Sequence, residues 1–194
     1  MIRTFKALSA LLSYPSVELQ EAILAIRDVL KSEAIVSADA LEAIEPLLAG
    51  FETGDIFDLQ ERYVLLFDRS RTLSLNLFEH IHGEGRDRGG AMVDLLETYR
   101  ARGFDLISTE LPDHLPVLLE FLATLPVDEA REMLADAGHI IAALAERLTR
   151  RETPYAAVLT ALSDFARASL ETEEAQALIS EKDDDPENLD ELDA

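Results

Sequence analysis

The chain has 194 residues, a formal net charge of −22 and no cysteine. The length suits one domain with an appended tail and permits a sizeable core without cross-links. The missing thiols exclude cysteine catalysis, disulfides and cysteine-ligated zinc or iron–sulfur sites on this chain, and the charge opposes binding to bare nucleic acid, which needs clustered cations.

Period-2 alternation is scarce and helical periodicity is frequent, so the expected fold is all-α, a compact single-domain bundle. The opening Met1-Ile2-Arg3-Thr4-Phe5-Lys6 and its short apolar continuation superficially resemble a signal peptide, but Ser13-Tyr14-Pro15-Ser16 lacks a small-residue cleavage pattern. A first amphipathic helix is the expectation. Leu19, Ile23, Ile26 and Leu30 form the stripe of a second helix, opened by Pro15 and Ser16. A third is expected from Ala38 to Leu48, ending near Gly50. Asp55 is a good N-cap for a fourth, from Ile56 to Phe67.

Residues 68–90 break the pattern. Between Glu79 and Gly90 lie four of the eight glycines, together with His80, His82 and five charged groups. Glycine lowers helix stability by ~1 kcal/mol relative to alanine, so helix is expected to resume only with Met92, Leu95, Leu96 and Tyr99, stopping near Gly103. Residues 104–112 read as a connector. Asp113 can cap a helix reaching about Leu125, with Pro116 in its first turn. Pro126 interrupts it, a long helix follows from about Asp128 to Arg150, and Thr153-Pro154 opens a last one carrying Val158, Leu162 and Phe165. The domain is therefore drawn over residues 1–170. Residues 171–194 carry eleven acids and one lysine and are expected as an acidic, largely disordered tail, above all beyond Ser180. No run of ~20 apolar residues exists to span a membrane.

Three short constellations offer chemistry. His80 and His82, with Glu79 or Glu84, suggest a metal site, yet i and i+2 diverge on a helix and no third ligand has a known spacing; holding an irregular loop by hydrogen bonds is the plainer role. Arg86-Asp87-Arg88 can pair internally and cap the next helix, or bind an anion through guanidinium forks. Pro112-Asp113-His114 is an N-cap beside a histidine, or a polar hook on a groove. The apolar pair Leu66-Phe67 is either core or the lining of a groove for an amphipathic segment. A phosphate loop with its lysine, a dinucleotide fingerprint and a Ser-His-Asp order are all missing, so no catalytic residue is assigned. A metal-dependent hydrolase built on His80 and His82, or a nucleotide-binding regulator built on Arg86 and Arg88, remain the rival readings.

Taken together, Tyr63-Val-Leu-Leu-Phe67-Asp68, the run Leu73-Ser-Leu-Asn-Leu-Phe-Glu79-His80-Ile-His82-Gly83-Glu84-Gly-Arg86-Asp87-Arg88-Gly89, and Glu110-Leu-Pro112-Asp113-His114 resemble the TorD/DmsD/NarJ family of redox-enzyme maturation chaperones. The second run resembles its nitrate reductase branch specifically. The likeness covers about residues 1–170. It implies an all-helical, cytoplasmic, non-catalytic chaperone without a cofactor of its own. The implied partner is the apo catalytic subunit of a membrane-bound respiratory nitrate reductase, bound through its N-terminal leader. The chaperone would keep that subunit competent for insertion of molybdenum cofactor and an iron–sulfur cluster before membrane docking. A DMSO or TMAO reductase-type client is the alternative, and both a monomer and a helix-swapped homodimer stay open. The resemblance implies leader contacts at Leu66, Phe67, Asp113 and His114; with residues unusually polar or apolar for their place in the helical pattern, the expected peptide site comprises Tyr63, Leu66, Phe67, His80, His82, Asp113 and His114, with Arg86 and Arg88 on its rim. Tryptophans used elsewhere in the family are absent from this chain, leaving Tyr63, Phe67 or Phe78 for aromatic contacts.

Overall fold

The computed structural model describes residues 1–83, 86–107, 109–167 and 173–180. Eleven α-helices and no strand occur among them: α1 (Arg3–Leu11), α2 (Val17–Glu33), α3 (Ala38–Thr53), α4 (Ile56–Tyr63), α5 (Glu79–His82), α6 (Arg86–Ala101), α7 (Leu115–Leu122), α8 (Val127–Asp136), α9 (Gly138–Arg150), α10 (Ala156–Ala166) and α11 (Glu173–Ser180). The all-α expectation holds.

Helix α9 is the spine. Ile140, Ile141, Ala142, Ala143, Leu144, Ala145 and Leu148 are all buried, and a helix apolar on nearly every side belongs inside. It packs on α10 and α11, while α1 packs on α2 and α7. Phe5, Leu8, Leu11 and Leu12 of the first helical segment are buried, and Ser9 Oγ donates to the Pro116 carbonyl at 2.8 Å, tying α1 to α7. The caps at Ser16 and Asp55 form as expected: Ser16 Oγ accepts from Leu19 N–H, and the Asp55 carboxylate from Phe57 N–H and Asp58 N–H.

Several boundaries differ from the sequence expectation. Helix α3 runs through Pro46 and Gly50 to Thr53; burial of Leu47, Leu48 and Phe51 outweighs the breaker residues. The fourth helix is α only to Tyr63, and Val64–Asp68 continue as a π-helix. Helix α6 begins at Arg86 and passes straight through Gly89-Gly90. The cost of those glycines is offset by Arg88, which bonds Glu79 Oε1 at 3.1 Å, and by Asp87, an acid favourable in a first turn. Asp113 does not cap α7; His114 occupies that position. The long helix expected from Asp128 is two, α8 and α9, parted at Ala137. Thr153-Pro154 precede a turn rather than the first helical residue, and Tyr155 stands at the N-cap of α10. Within the span expected as tail, residues 173–180 are helical, with Ala175 fully buried. The buried Arg147 guanidinium donates from Nη1 to Thr72 O at 2.6 Å and from Nη2 to Leu178 O, so one cation of α9 bonds both a 3₁₀ turn (Arg71–Leu73) and α11. The remainder of the tail, 181–194, lies outside the described residues.

Candidate functional site: an acidic cleft against helix α7

The two halves of the sequence signature meet through backbone. Leu115 N–H donates to Leu75 O at 2.8 Å and Leu77 N–H to Asp113 O at 3.1 Å, an isolated antiparallel bridge centred on Asn76 and His114. That pairing lays the Leu73–Glu79 run along the Pro112-Asp113-His114 element and fixes which way each side chain faces.

His114 faces a cleft of about 530 Å³. One wall is Tyr63 and Asp68, from α4 and the π-helix. Another is Phe104, Asp105, Leu106 and Ile107; the third is Pro116, Val117 and Glu120 of α7, with Ser13, Tyr14 and Glu110 at the edges. The floor and rim are partly apolar: Ile107 is 98% exposed and Tyr14 51% exposed. Asp68, Asp105, Glu110 and Glu120 supply four carboxylates around it. Phe67 turns inward, 5.1 Å from the Tyr155 ring and 4.9 Å from Tyr63, while Asp68 reaches the cleft.

Burial and neighbouring carboxylates dominate the electrostatics of the cleft. Burial raises the Asp68 carboxyl above its ordinary value and Glu110 pushes it further, against an opposing influence from His114. Burial holds the His114 imidazole below its ordinary value, although Glu110, Asp113 and Asp68 all pull the other way. Its Nδ1–H donates to Asn76 Oδ1 at 3.2 Å. Tyr63 stays a neutral phenol, its ionisation suppressed by burial and then by Asp68, and its hydroxyl donates to Leu12 O at 2.9 Å.

The nine residues expected to form one site are not brought together. Tyr63 and His114 line the cleft. Leu66 is half-buried against the core, and Phe67 is core, supporting the cleft from behind. Asp113 is fully buried with its Oδ2 accepting from Phe78 N–H at 3.0 Å. Its carboxyl is raised by burial, against the Phe78 N–H and Arg88. Arg88 joins Glu79 at 3.1 Å and approaches Asp113 at 3.8 Å. His80 Nε2–H donates to Ser74 O at 2.8 Å, and His82 packs edge-on against Phe78, 5.9 Å between centroids. The Arg86 side chain and Glu84 lie outside the described residues. The glycine-rich segment therefore braces α5 and α6 against the Asp113 loop rather than lining the cleft. Gly83 ends α5 at φ +55°, where a Cβ would also press on Arg71 Nη2 at 3.3 Å. Among the described residues no group of three or more His, Asp or Glu side chains is placed to hold a metal ion.

Sequence reasoning missed the wall formed by residues 104–107, which had read as a connector. The signal lies in Ile107, an apolar residue in a segment with no helical stripe to bury it and 98% exposed, whereas Phe104 and Leu106 pack partly against the core.

The described residues are all-α and present a carboxylate-rimmed, partly apolar cleft. The chain belongs to the nitrate reductase delta subunit family, whose model matches residues 18–161. It is 43% identical over 191 residues to the nitrate reductase molybdenum cofactor assembly chaperone NarJ of Escherichia coli K12, covering 94% of this chain and 78% of that one. The probable chaperone NarW of the same strain is 43% identical over 161 residues, 78% of this chain and 70% of NarW. The probable NarJ of Bacillus subtilis 168 is 34% identical over 163 residues, 82% and 85% of the two chains. These relatives are named as assembly chaperones, not catalysts.

Proposed function

We propose that this protein is a non-catalytic assembly chaperone for a respiratory nitrate reductase. It binds the apo catalytic subunit through that subunit's N-terminal leader and keeps it competent for insertion of molybdenum cofactor and an iron–sulfur cluster before membrane docking. The place of action is the cytoplasm; no described helix is long and apolar enough to cross a membrane. The observation that carries the reading is the cleft at His114. Four carboxylates around exposed Tyr14 and Ile107 suit a basic amphipathic leader helix, whose apolar face covers Ile107 and Tyr14 while its cations meet Asp68 and Glu110. Tyr63 and His114 shape the wall, and Leu66, Phe67, His80, His82, Arg88 and Asp113 belong to the framework behind or beside it. Attraction between acidic cleft and basic leader raises the association rate more than the affinity and weakens with salt.

Titration of the full chain with the client's leader peptide, by calorimetry and amide shifts, tests the assignment. Ile107→Glu puts a charge on a side chain almost wholly in solvent, so the fold is untouched; the expected result is at least ~tenfold weaker binding, about 1.4 kcal/mol, at unchanged Tm. Equal affinity in wild type and Ile107→Glu, with no shift at His114, overturns it.

A further inference from the structure

Helix α7 has a second face, and a groove runs along it that the leader cleft does not use. Two hollows of about 210 and 430 Å³ adjoin there, sharing Met133 and Asp136. Their floor is Leu118 and Phe121 of α7, with Leu95 of α6 and Met133 of α8 on the sides. No residue lining this groove lines the leader cleft: along α7, Val117 and Glu120 face one way while Leu118 and Phe121 face the other. Three observations say what this groove takes. Glu132 and Asp136 stand exposed one helical turn apart on either side of Met133, and like charges at i and i+4 destabilise a helix until a cation meets them. At the other rim Arg102 is already bound to Glu129 at 2.6 Å and does not supply that cation. At the deep end Asp113, with no exposed surface, lies in the wall of the smaller hollow, and its Oδ1 has no hydrogen-bond partner; a buried acceptor left without a partner is unfavourable.

We propose that the α6–α8 groove is a second docking site, for a cationic amphipathic helix of a partner polypeptide. One large apolar side chain enters the hollow over Leu118 and Met133, and a lysine or arginine one turn away meets Glu132 and Asp136. This goes beyond the leader reading and stands independently of it, because the two surfaces are separate.

The test uses the full chain, isotope-labelled, and a model peptide of leucine and lysine in amphipathic helical order. The expected result is two separable sets of amide shifts, one around Ile107 and His114 and one around Leu95, Met133 and Asp136. In the surface double variant Glu132→Lys/Asp136→Lys the second set is lost, its affinity falling at least ~tenfold, and the first persists. Amides of α6 and α8 that do not move, or a second set whose affinity is the same in the double variant, overturns the proposal. So does equal binding of the same peptide with glutamate in place of lysine. Failure of the leader reading looks different: the client's leader leaves Ile107 and His114 unmoved while the model peptide still fills the α6–α8 groove.

Discussion

Phe67→Ala separates a residue that builds the cleft from one that touches its occupant. Phe67 is 5% exposed and its ring meets Tyr63 and Tyr155 at centroid distances of 4.9 and 5.1 Å. Tyr155 in turn meets Phe51 edge to face, so the ring is one link in an aromatic chain joining the π-helix to α3 and α10. Truncating a buried Phe to Ala costs about 3–5 kcal/mol, from lost transfer energy and the cavity left behind. For a domain of this length each kcal/mol moves Tm by roughly 2–4 °C, so the expected drop is roughly 6–20 °C. Differential scanning calorimetry reads Tm, and urea unfolding at fixed temperature reads the free energy. Leader binding is then titrated well below the variant's Tm. The expected outcome is a large stability loss with a binding loss smaller than that of Ile107→Glu. A Tm within about 2 °C of wild type together with abolished binding refutes the placement, because it makes Phe67 a contact residue and not a core residue.

Replacing Arg147 by Met keeps the aliphatic stem but removes the charged donors to Thr72 O and Leu178 O; with hydrogen bonds from charged groups worth ~1.5–3 kcal/mol each, the expected cost is about 3 kcal/mol, and amide exchange in residues 173–180 accelerates. Unchanged protection there means that Arg147 does not hold α11. Asp113→Asn tests the buried carboxyl. Burial raises its native pKa above the unfolded 3.8, so its favourable contribution is full below that value and is lost as pH rises through the native pKa. The variant should therefore gain on wild type as pH rises above 3.8, read as urea midpoints across a pH series; a gap that does not vary with pH contradicts the burial argument. Gly83→Ala forces a Cβ into the left-handed region and against Arg71, for a loss of ~1 kcal/mol or more, measured by the same urea midpoints.

Local chemistry was legible where one residue decides it. Ser16 and Asp55 announce helix starts because a short oxygen-bearing side chain directly before an apolar stripe has one favourable use, accepting from the first free N–H groups. The fold class followed from the stripes of α2, α6 and α10. What the sequence concealed were outcomes decided by distant partners. Gly89-Gly90 look like a helix break, and only the reach of Arg88 to Glu79 and toward Asp113 shows why α6 carries them. Asp113 has every local mark of an N-cap, yet its carboxylate serves Phe78 across the chain, a partner 35 residues away that spacing cannot reveal. The π-helix at Val64–Asp68 leaves no signature in hydrophobic periodicity.

The segment from Glu79 to Gly90 shows how a motif can identify a family without being its working surface. Its charges look available in sequence because they crowd together and resemble an anion or metal site. In the structure Glu79 and Arg88 are spent on each other, His80 on the Ser74 carbonyl, and His82 on Phe78. The His80 and His82 contacts end within the Leu73–Phe78 run, Arg88 also approaches Asp113 at 3.8 Å, and the backbone bridge at Asn76 and His114 joins those two strips directly. The bridge fixes the register of His114 against Asn76, and a one-residue slip would turn His114 from the cleft and bring Asp113 into it. The polar crowd beyond Phe78 is therefore placed to set that register. Helix α7 then carries its two faces, one toward the acidic cleft and one toward the α6–α8 groove, from a single anchored start.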